Sequence, residues 1–333
     1  MKRTVGIVIT VLAFAAALAA ASLFMPFFPA APASSGGQPR AAATPPDTIT
    51  ILYTSDTRGH MNPCDCTAGV AGGLPRRKSF IAQRQSGDTL IVDAGNITAG
   101  GRPWELLELE HILRGYEHIG YDAINIGKRE AGLPAVALAK LMSTYPALVS
   151  ANVLDASGEL IFSPFRLATL TSGYKVAIIG VTDSDVSPEE LGEGVKVSSP
   201  EEAIARVLPR ATVEADFIVL LAFVGEQKLK ELAERFFEID VIVGGDVKQP
   251  SGNAVAANKS TIVYITDKGK SVGELNLLYV GGQYIAEKNT ITMLMENVPD
   301  DPGIAALAAE LHRKLVENSY PTKKDDEDGL SAL

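Results

Sequence analysis

The chain has 333 residues, 46% of them apolar, and a formal net charge of −10, enough hydrophobic side chain for a large core. That acidity excludes a nucleic-acid binder gripping phosphates through a basic face, although a small cationic cleft can still sit inside an acidic surface. Lys2 and Arg3 precede an uncharged apolar run from Val5 to Met25, a pattern that predicts export. Residues 1–28 then form either a signal peptide, with small residues near Ala31-Pro32-Ala33 for cleavage, or an uncleaved anchor. In the second case residues 5–25 hold the chain in the inner membrane, with Lys2 and Arg3 inside and the rest periplasmic or otherwise extracytoplasmic.

Residues 29–47, rich in Pro, Ala, Ser and Gly, read as a linker. A single domain is expected over 48–320. Its predicted strands begin with Thr48–Thr54, Thr89–Ala94, Ala123–Ile126 and Ala147–Ser150, and continue with Lys175–Val181, Phe217–Ala222 and Val241–Val243. Several of these runs are apolar throughout, as strands covered on both faces must be. Helical patterns alternate with them: Leu74–Arg84, Trp104–Ile119, Pro134–Ser143, Pro200–Ala211 and Gln227–Phe237, two of them opening on a proline that the first helical turn tolerates. Towards the end come strand-like Thr261–Ile265, Val272–Val280 and Tyr284–Met293, a Gly281-Gly282 turn, and a helix over Pro302–Asn318. The charged run Lys323–Asp328 marks 321–333 as a solvated, disordered tail. These patterns predict an α/β sandwich of mixed sheets with helices outside, and ligands in such folds gather beyond the carboxyl ends of strands.

Each expected strand is followed by a polar station. The first carries Ser55-Asp56-Thr57-Arg58-Gly59-His60, and the second Asp93-Ala94-Gly95-Asn96. Later come Asn125-Ile126-Gly127-Lys128-Arg129-Glu130, Ser150-Ala151-Asn152, Ala222-Phe223-Val224-Gly225 and Gly244-Gly245-Asp246-Val247-Lys248. With Gly72-Gly73-Leu74-Pro75-Arg76-Arg77 in its place, this series resembles the catalytic domain of bacterial 5'-nucleotidases, of the calcineurin-like metallophosphoesterase superfamily, from about Thr48 to Leu278. The resemblance implies a four-layer α/β/β/α sandwich of mixed sheets. It also implies hydrolysis by paired divalent cations, which activate a water and neutralise the phosphoryl oxygens. The sequence ends soon after this region, so no C-terminal domain with base-stacking aromatics is expected, and nucleotide specificity does not carry over.

At the stations the family ligands read Asp-x-His, Gly-Asp, Gly-Asn-His-Glu, a single His, and Gly-His-x-His. Here Asp56 matches the first ligand, but its partner histidine is Arg58 and the bridging aspartate is Asn96. Lys128 and Arg129 stand for the Asn-His pair, Phe223 for the single histidine, and Asp246 and Lys248 for the last two. Only Asp56, Asn96 and Asp246 offer oxygen, a set for at most one weakly held divalent cation of the Mg or Ca type. The resemblance places Arg58, Lys128, Arg129 and Lys248 together. They either bind phosphate or another small oxyanion in place of the metals, or neutralise the remaining acids in an ion-pair network.

The loop Asn62-Pro63-Cys64-Asp65-Cys66 holds both cysteines of the chain. Outside the cytoplasm they form a redox-active pair, a soft-metal half-site or a loop-tying disulfide, and Arg58, Arg76 and Arg77 favour a thiolate where they lie close. Pro-Cys-x-Cys before Gly-Gly-Leu-x-Arg-Arg also resembles exported 5'-nucleotidase-like proteins with selenocysteine in such a motif. His60 is a candidate cleft residue, while His111, His118 and His312 read as surface histidines. P-loop, Gly-x-Ser-x-Gly and paired zinc-ligand spacings are all missing. Two functions follow: a non-hydrolytic member of this fold acting through a cationic cleft, the cysteine pair or a protein partner, or a phosphoesterase with a reduced metal site.

Overall fold

The computed structural model describes residues 43–66, 69–85, 87–266 and 268–322. The signal or anchor segment, most of the linker and the tail from 323 therefore lie outside the described residues. No helix among the described residues is long and apolar enough to cross a membrane.

The chain enters through β1 (Thr48–Thr54), a short hairpin of β2 (Cys64–Cys66) and β3 (Gly69–Ala71), then α1 (Leu74–Ala82) and β4 (Thr89–Asp93). Next come α2 (Pro103–Ile119), β5 (Ala123–Asn125), the single turn α3 (Lys128–Ala131), α4 (Ala135–Thr144), β6 (Leu148–Val149) and β7 (Val153–Leu154). The second half opens with β8 (Phe165–Thr169), β9 (Lys175–Thr182), β10 (Lys196–Val197) and α5 (Pro200–Glu214). It continues through β11 (Phe217–Phe223), α6 (Glu226–Arg235), β12 (Val241–Gly244), β13 (Ser251–Ala257) and β14 (Ser260–Tyr264). It closes with β15 (Ser271–Val280), β16 (Gln283–Met293) and α7 (Pro302–Glu317).

Two six-stranded sheets result, in the orders β16-β15-β1-β4-β5-β6 and β13-β14-β12-β11-β9-β8. β1, β4, β5 and β6 run parallel in the first, as do β9, β11, β12 and β14 in the second. Antiparallel β15, β16, β13 and β8 complete the edges. Strand periodicity explains the layering. Ile49, Ile51 and Tyr53 of β1 face Val176, Ile178, Val219 and Val243 of the other sheet, while Leu52 points outward to Leu109, Ile112 and Leu311 on the helices. The second sheet does the same, turning Ala177, Ile179, Leu220 and Ile242 towards Ile204 and Leu208 of α5 and Leu232 of α6. Both faces of each sheet are covered, which is why the central strands read as unbroken apolar runs. The four-layer α/β/β/α sandwich of mixed sheets expected from the sequence is the observed fold.

Local differences have physical reasons. The helix expected to stop at Ala211 runs on to Glu214 through Pro209, and ends at extended Ala215 just before β11. Strands β8 and β13 were not expected, because their edge positions leave them half exposed and without a continuous apolar run. His111, read as a surface residue, is fully buried where α2 packs on α7; its Nδ1 lies 2.8 Å from the Leu107 carbonyl and its Nε2 3.6 Å from Glu310. Asn125 joins the sheets near the carboxyl ends of their strands, its amide donating to the carbonyls of Ala94 (3.0 Å) and Val181 (2.8 Å).

Candidate functional site

The loops following β1, β4, β5, β9, β11 and β12 come together at one end of the sandwich. The first two pair backbone to backbone: Asp56 N–H reaches Gly95 O at 2.7 Å, Arg58 N–H reaches Asn96 O at 3.1 Å, and Gly59 N–H reaches Ile97 O at 2.6 Å. Asp56, Arg58 and Asn96 adopt left-handed φ values of 59°, 46° and 67°. Backbone strain of this kind persists only where the surroundings enforce it, and it clusters at functional loops. Gly95 and Gly127 allow the approach, since a Cβ at Gly127 would lie 2.5 Å from the Asn96 nitrogen.

Glu130 fixes the arrangement from behind. Its buried carboxyl accepts the N–H groups of Thr98 (2.7 Å), Asn96 (2.9 Å) and Gly127 (2.9 Å). Burial pushes its pKa up, against the pull of those three amides.

Asp56 is 2% exposed, and both its oxygens are engaged. Oδ1 accepts from Arg58 Nε at 2.6 Å and Asn96 Nδ2 at 3.0 Å, and Oδ2 accepts from Thr266 Oγ1 at 2.6 Å. The remaining Asn96 side-chain atom, Oδ1, accepts the Arg129 N–H at 2.9 Å, so both ends of this amide are engaged too. Lys128 crosses from α3 to the second sheet, its ammonium 2.8 Å from Asp246 and 3.7 Å from Asp183. Burial alone draws the Lys128 pKa down. The Asp246 hydrogen bond and the fields of Asp246, Asp183 and Asp185 outweigh that and hold it above the ordinary lysine value.

These groups line an open cavity of about 520 Å³. Arg58, Lys128 and Arg129 give it three cations, and Asp185, Glu190 and Asp246 three acids, with Phe223 and Val186 as apolar lining. Arg129 is exposed at the rim, its guanidinium donating to the Ala99 carbonyl at 2.6 Å. Lys248, expected beside the other cations, is exposed after β12 and does not line the cavity; two residues past Asp246 the chain has already turned outward. His60 does not line it either, its Nδ1 lying 2.9 Å from the Arg58 carbonyl. Cys64 and Cys66 form β2, paired in register with Ala71 and Gly69 of β3.

No family model matches the chain. The 5'-nucleotidase of Vibrio cholerae is 29% identical in an alignment 231 residues long that covers 61% of this chain and 40% of that protein. Among solved structures, the 5'-nucleotidase precursor of Thermus thermophilus superposes with a TM-score of 0.69 at 24% identity, over 81% of this chain and 59% of that one. The calcineurin-like phosphoesterase YfkN of Bacillus subtilis gives 0.67 at 22% identity, over 82% of this chain and 99% of that one. The chain is a homologue of bacterial 5'-nucleotidases with the calcineurin-like metallophosphoesterase fold. It spans less than half the length of the curated relatives it matches, 40% of the Vibrio protein among them.

The resemblance implies a pair of divalent cations, and the side chains at the matched positions offer few donors for one. Phe223 has no ligating atom, and Lys128 and Arg129 bring positive charge to ligand positions. A cation at Asp56 would compete with Arg58, Asn96 and Thr266 for the carboxylate, and one at Asp246 would meet the Lys128 ammonium already bonded to Oδ2. Among the described residues there is no cluster of three or more His, Cys, Asp or Glu side chains able to hold a metal ion.

A second polar cluster, missed in the sequence, lies directly beneath the first loop. Arg77 is fully buried; its Nη1 donates to Tyr116 OH (2.8 Å) and Tyr121 OH (3.3 Å), and its Nη2 to Thr57 Oγ1 (3.2 Å) and Gly269 O (3.4 Å). Asp93 accepts from Tyr116 OH at 2.9 Å, Thr54 Oγ1 at 2.6 Å and the Gly95 N–H at 2.8 Å. With the Tyr116 proton on Asp93, Thr57 must donate to Tyr116; with the Thr54 proton on Asp93, Tyr121 must donate to Thr54. Burial pushes the Asp93 carboxyl up, opposed by Thr54, Arg77, the Gly95 amide and Tyr116. The two tyrosine rings stack with centroids 4.2 Å apart. Arg77, considered a thiolate-stabilising neighbour of the cysteines, spends its terminal donors inside this network instead. Arg76 reaches the cysteine hairpin, donating to the Val70 carbonyl at 2.8 Å.

Proposed function

We propose that this chain is a 5'-nucleotidase-like protein that no longer hydrolyses phosphoesters with two metals, and instead binds a small oxyanion in the cleft. The observation that carries this reading is the state of Asp56. The one ligand retained in kind from the family pattern has both oxygens hydrogen-bonded to protein donors, Arg58 among them. Side-chain positive charge stands where metal charge acts in the relatives. Arg58 spends its Nε on Asp56 and lines the cavity, where its outer guanidinium nitrogens are free to meet an anion in a fork geometry that suits phosphate and sulfate. Arg129 adds a second guanidinium at the rim, and Lys128 a central ammonium already shared with Asp246.

Export belongs to the same reading. Lys2 and Arg3 before the apolar run 5–25 support an extracytoplasmic site of action, with the apolar run either cleaved or kept as a membrane anchor. The Cys64/Cys66 pair is a separate redox or soft-metal element of the proposal, carried on the hairpin just after the Asp56 loop.

The test is phosphate-dependent melting of the full-length chain in the presence of a chelator. A ligand that binds only the folded state must raise the midpoint, by an amount that grows with its concentration over Kd. The expected result is a rise at millimolar phosphate that Arg58→Gln with Arg129→Gln removes. A midpoint indifferent to phosphate and sulfate would overturn the oxyanion reading.

A further inference from the structure

The charges in the cleft are not mixed at random. Arg58, Asn96 and Arg129 stand on the loops of the first sheet, beside Gly100 and Gly101. Asp185 and Glu190 line the same cavity from the segment between β9 and β10. That segment is strapped against α3: Gly192 N–H donates to Ala131 O at 2.9 Å, Ala135 N–H donates to Glu193 O at 2.9 Å, and a Cβ at Gly132 would lie 3.0 Å from Glu190 O. The acid wall is thereby held at a set position relative to Arg129.

Despite sharing one cavity, Arg129 and these two acids form no direct ion pair. Among the described residues Arg129 has no carboxylate within 4.0 Å, and neither Asp185 nor Glu190 has a cationic partner within that distance. Asp246 differs, since Lys128 pairs with it at 2.8 Å. One guanidinium and two carboxylates therefore line the same volume without a direct ion-pair partner, although Asp185 acts on Lys128 through space and Glu190 accepts the Ser187 N–H. About 520 Å³ is ample for a small organic molecule. A bare inorganic anion would satisfy only the arginine side and would be repelled by the acid wall.

Resting on the oxyanion reading above, we infer that the ligand is a small zwitterion: a free phosphomonoester or similar oxyanion carrying an ammonium group a few bonds away. The oxyanion meets Arg58 and Arg129, and the ammonium meets Asp185 and Glu190. Val186, between the two acids in sequence and also in the cavity lining, covers the short spacer.

Calorimetric titration of the full-length chain with matched pairs tests this: 2-aminoethyl phosphate against ethyl phosphate, and 3-aminopropyl phosphate against propyl phosphate. In at least one pair the amine is expected to bind on the order of tenfold tighter, the effect of one added charge-assisted contact. Asp185→Asn, alone and with Glu190→Gln, is expected to erase that preference. It should also tighten the simple alkyl phosphate several-fold, because a repelling carboxylate is gone. The single variant covers the case in which loss of the Glu190 bond to the Ser187 N–H perturbs the loop. If phosphate and the alkyl phosphates bind but every pair agrees within twofold, the zwitterion inference fails and the oxyanion reading stands. If no oxyanion binds, both fail.

Discussion

Two carboxylate–arginine pairs lie near one another, Asp93 with Arg77 on β4 and α1 and Asp56 with Arg58 on the loop after β1, and their surroundings differ sharply. Asp93 and Arg77 are both 0% exposed, joined through Tyr116 and ringed by Thr54, Thr57 and Tyr121. Asp56 is nearly as buried, but the Arg58 side chain bonded to it is 37% exposed and forms part of the cleft lining. The sealed pair has its polar atoms committed to protein partners, apart from Arg77 Nε, which lacks one. The open pair keeps guanidinium surface for something else. The difference teaches where function can reside: a sealed, solvent-free network holds the fold, whereas a half-solvated one can respond to a ligand.

Arg77→Leu should show the largest effect. It leaves Asp93 buried without its cationic counterpart, which costs about 3–5 kcal/mol in comparable buried pairs, measurable by urea denaturation. A loss below about 1 kcal/mol would mean that the sealed network holds little of the fold. Tyr116→Phe should follow, at about 1–3 kcal/mol, because one hydroxyl serves Arg77, Asp93 and Thr57 together. Arg58→Gln should cost only about 0–1 kcal/mol, as a half-exposed ion pair does, while abolishing most of the phosphate-induced rise in melting midpoint. Opposite behaviour, a large loss of stability with the phosphate response intact, would reverse the roles of the two pairs.

Much of the fold was legible because it rests on burial. Runs such as Phe217–Ala222 and Val241–Val243 are apolar on both faces, and the polar stations after them mark strand ends. The residue types that the resemblance sets at family ligand positions could be read as well: Arg58, Asn96, Lys128, Arg129, Phe223. Their pairings were not. Nothing in sequence says that Lys128 would reach Asp246 across 118 positions, or that Lys248, two residues on, would turn to solvent. The acid wall of Asp185 and Glu190 belongs to no motif and reads as an ordinary loop. Arg77, Asp93, Tyr116 and Tyr121 meet through contacts 23 to 44 residues apart, and an Arg-Arg pair at a helix start looks like exposed surface. His111 misled for the same reason, since charged neighbours on α2 conceal a face that α7 covers.

The central claim is that protein cations have taken over from metal at Asp56, and bound-metal content measured alongside turnover tests it most directly. The full-length chain, equilibrated with excess manganese and desalted, should retain less than stoichiometric metal and release no phosphate from phosphomonoesters. Stoichiometric manganese together with turnover that Asp56→Ala abolishes would contradict it.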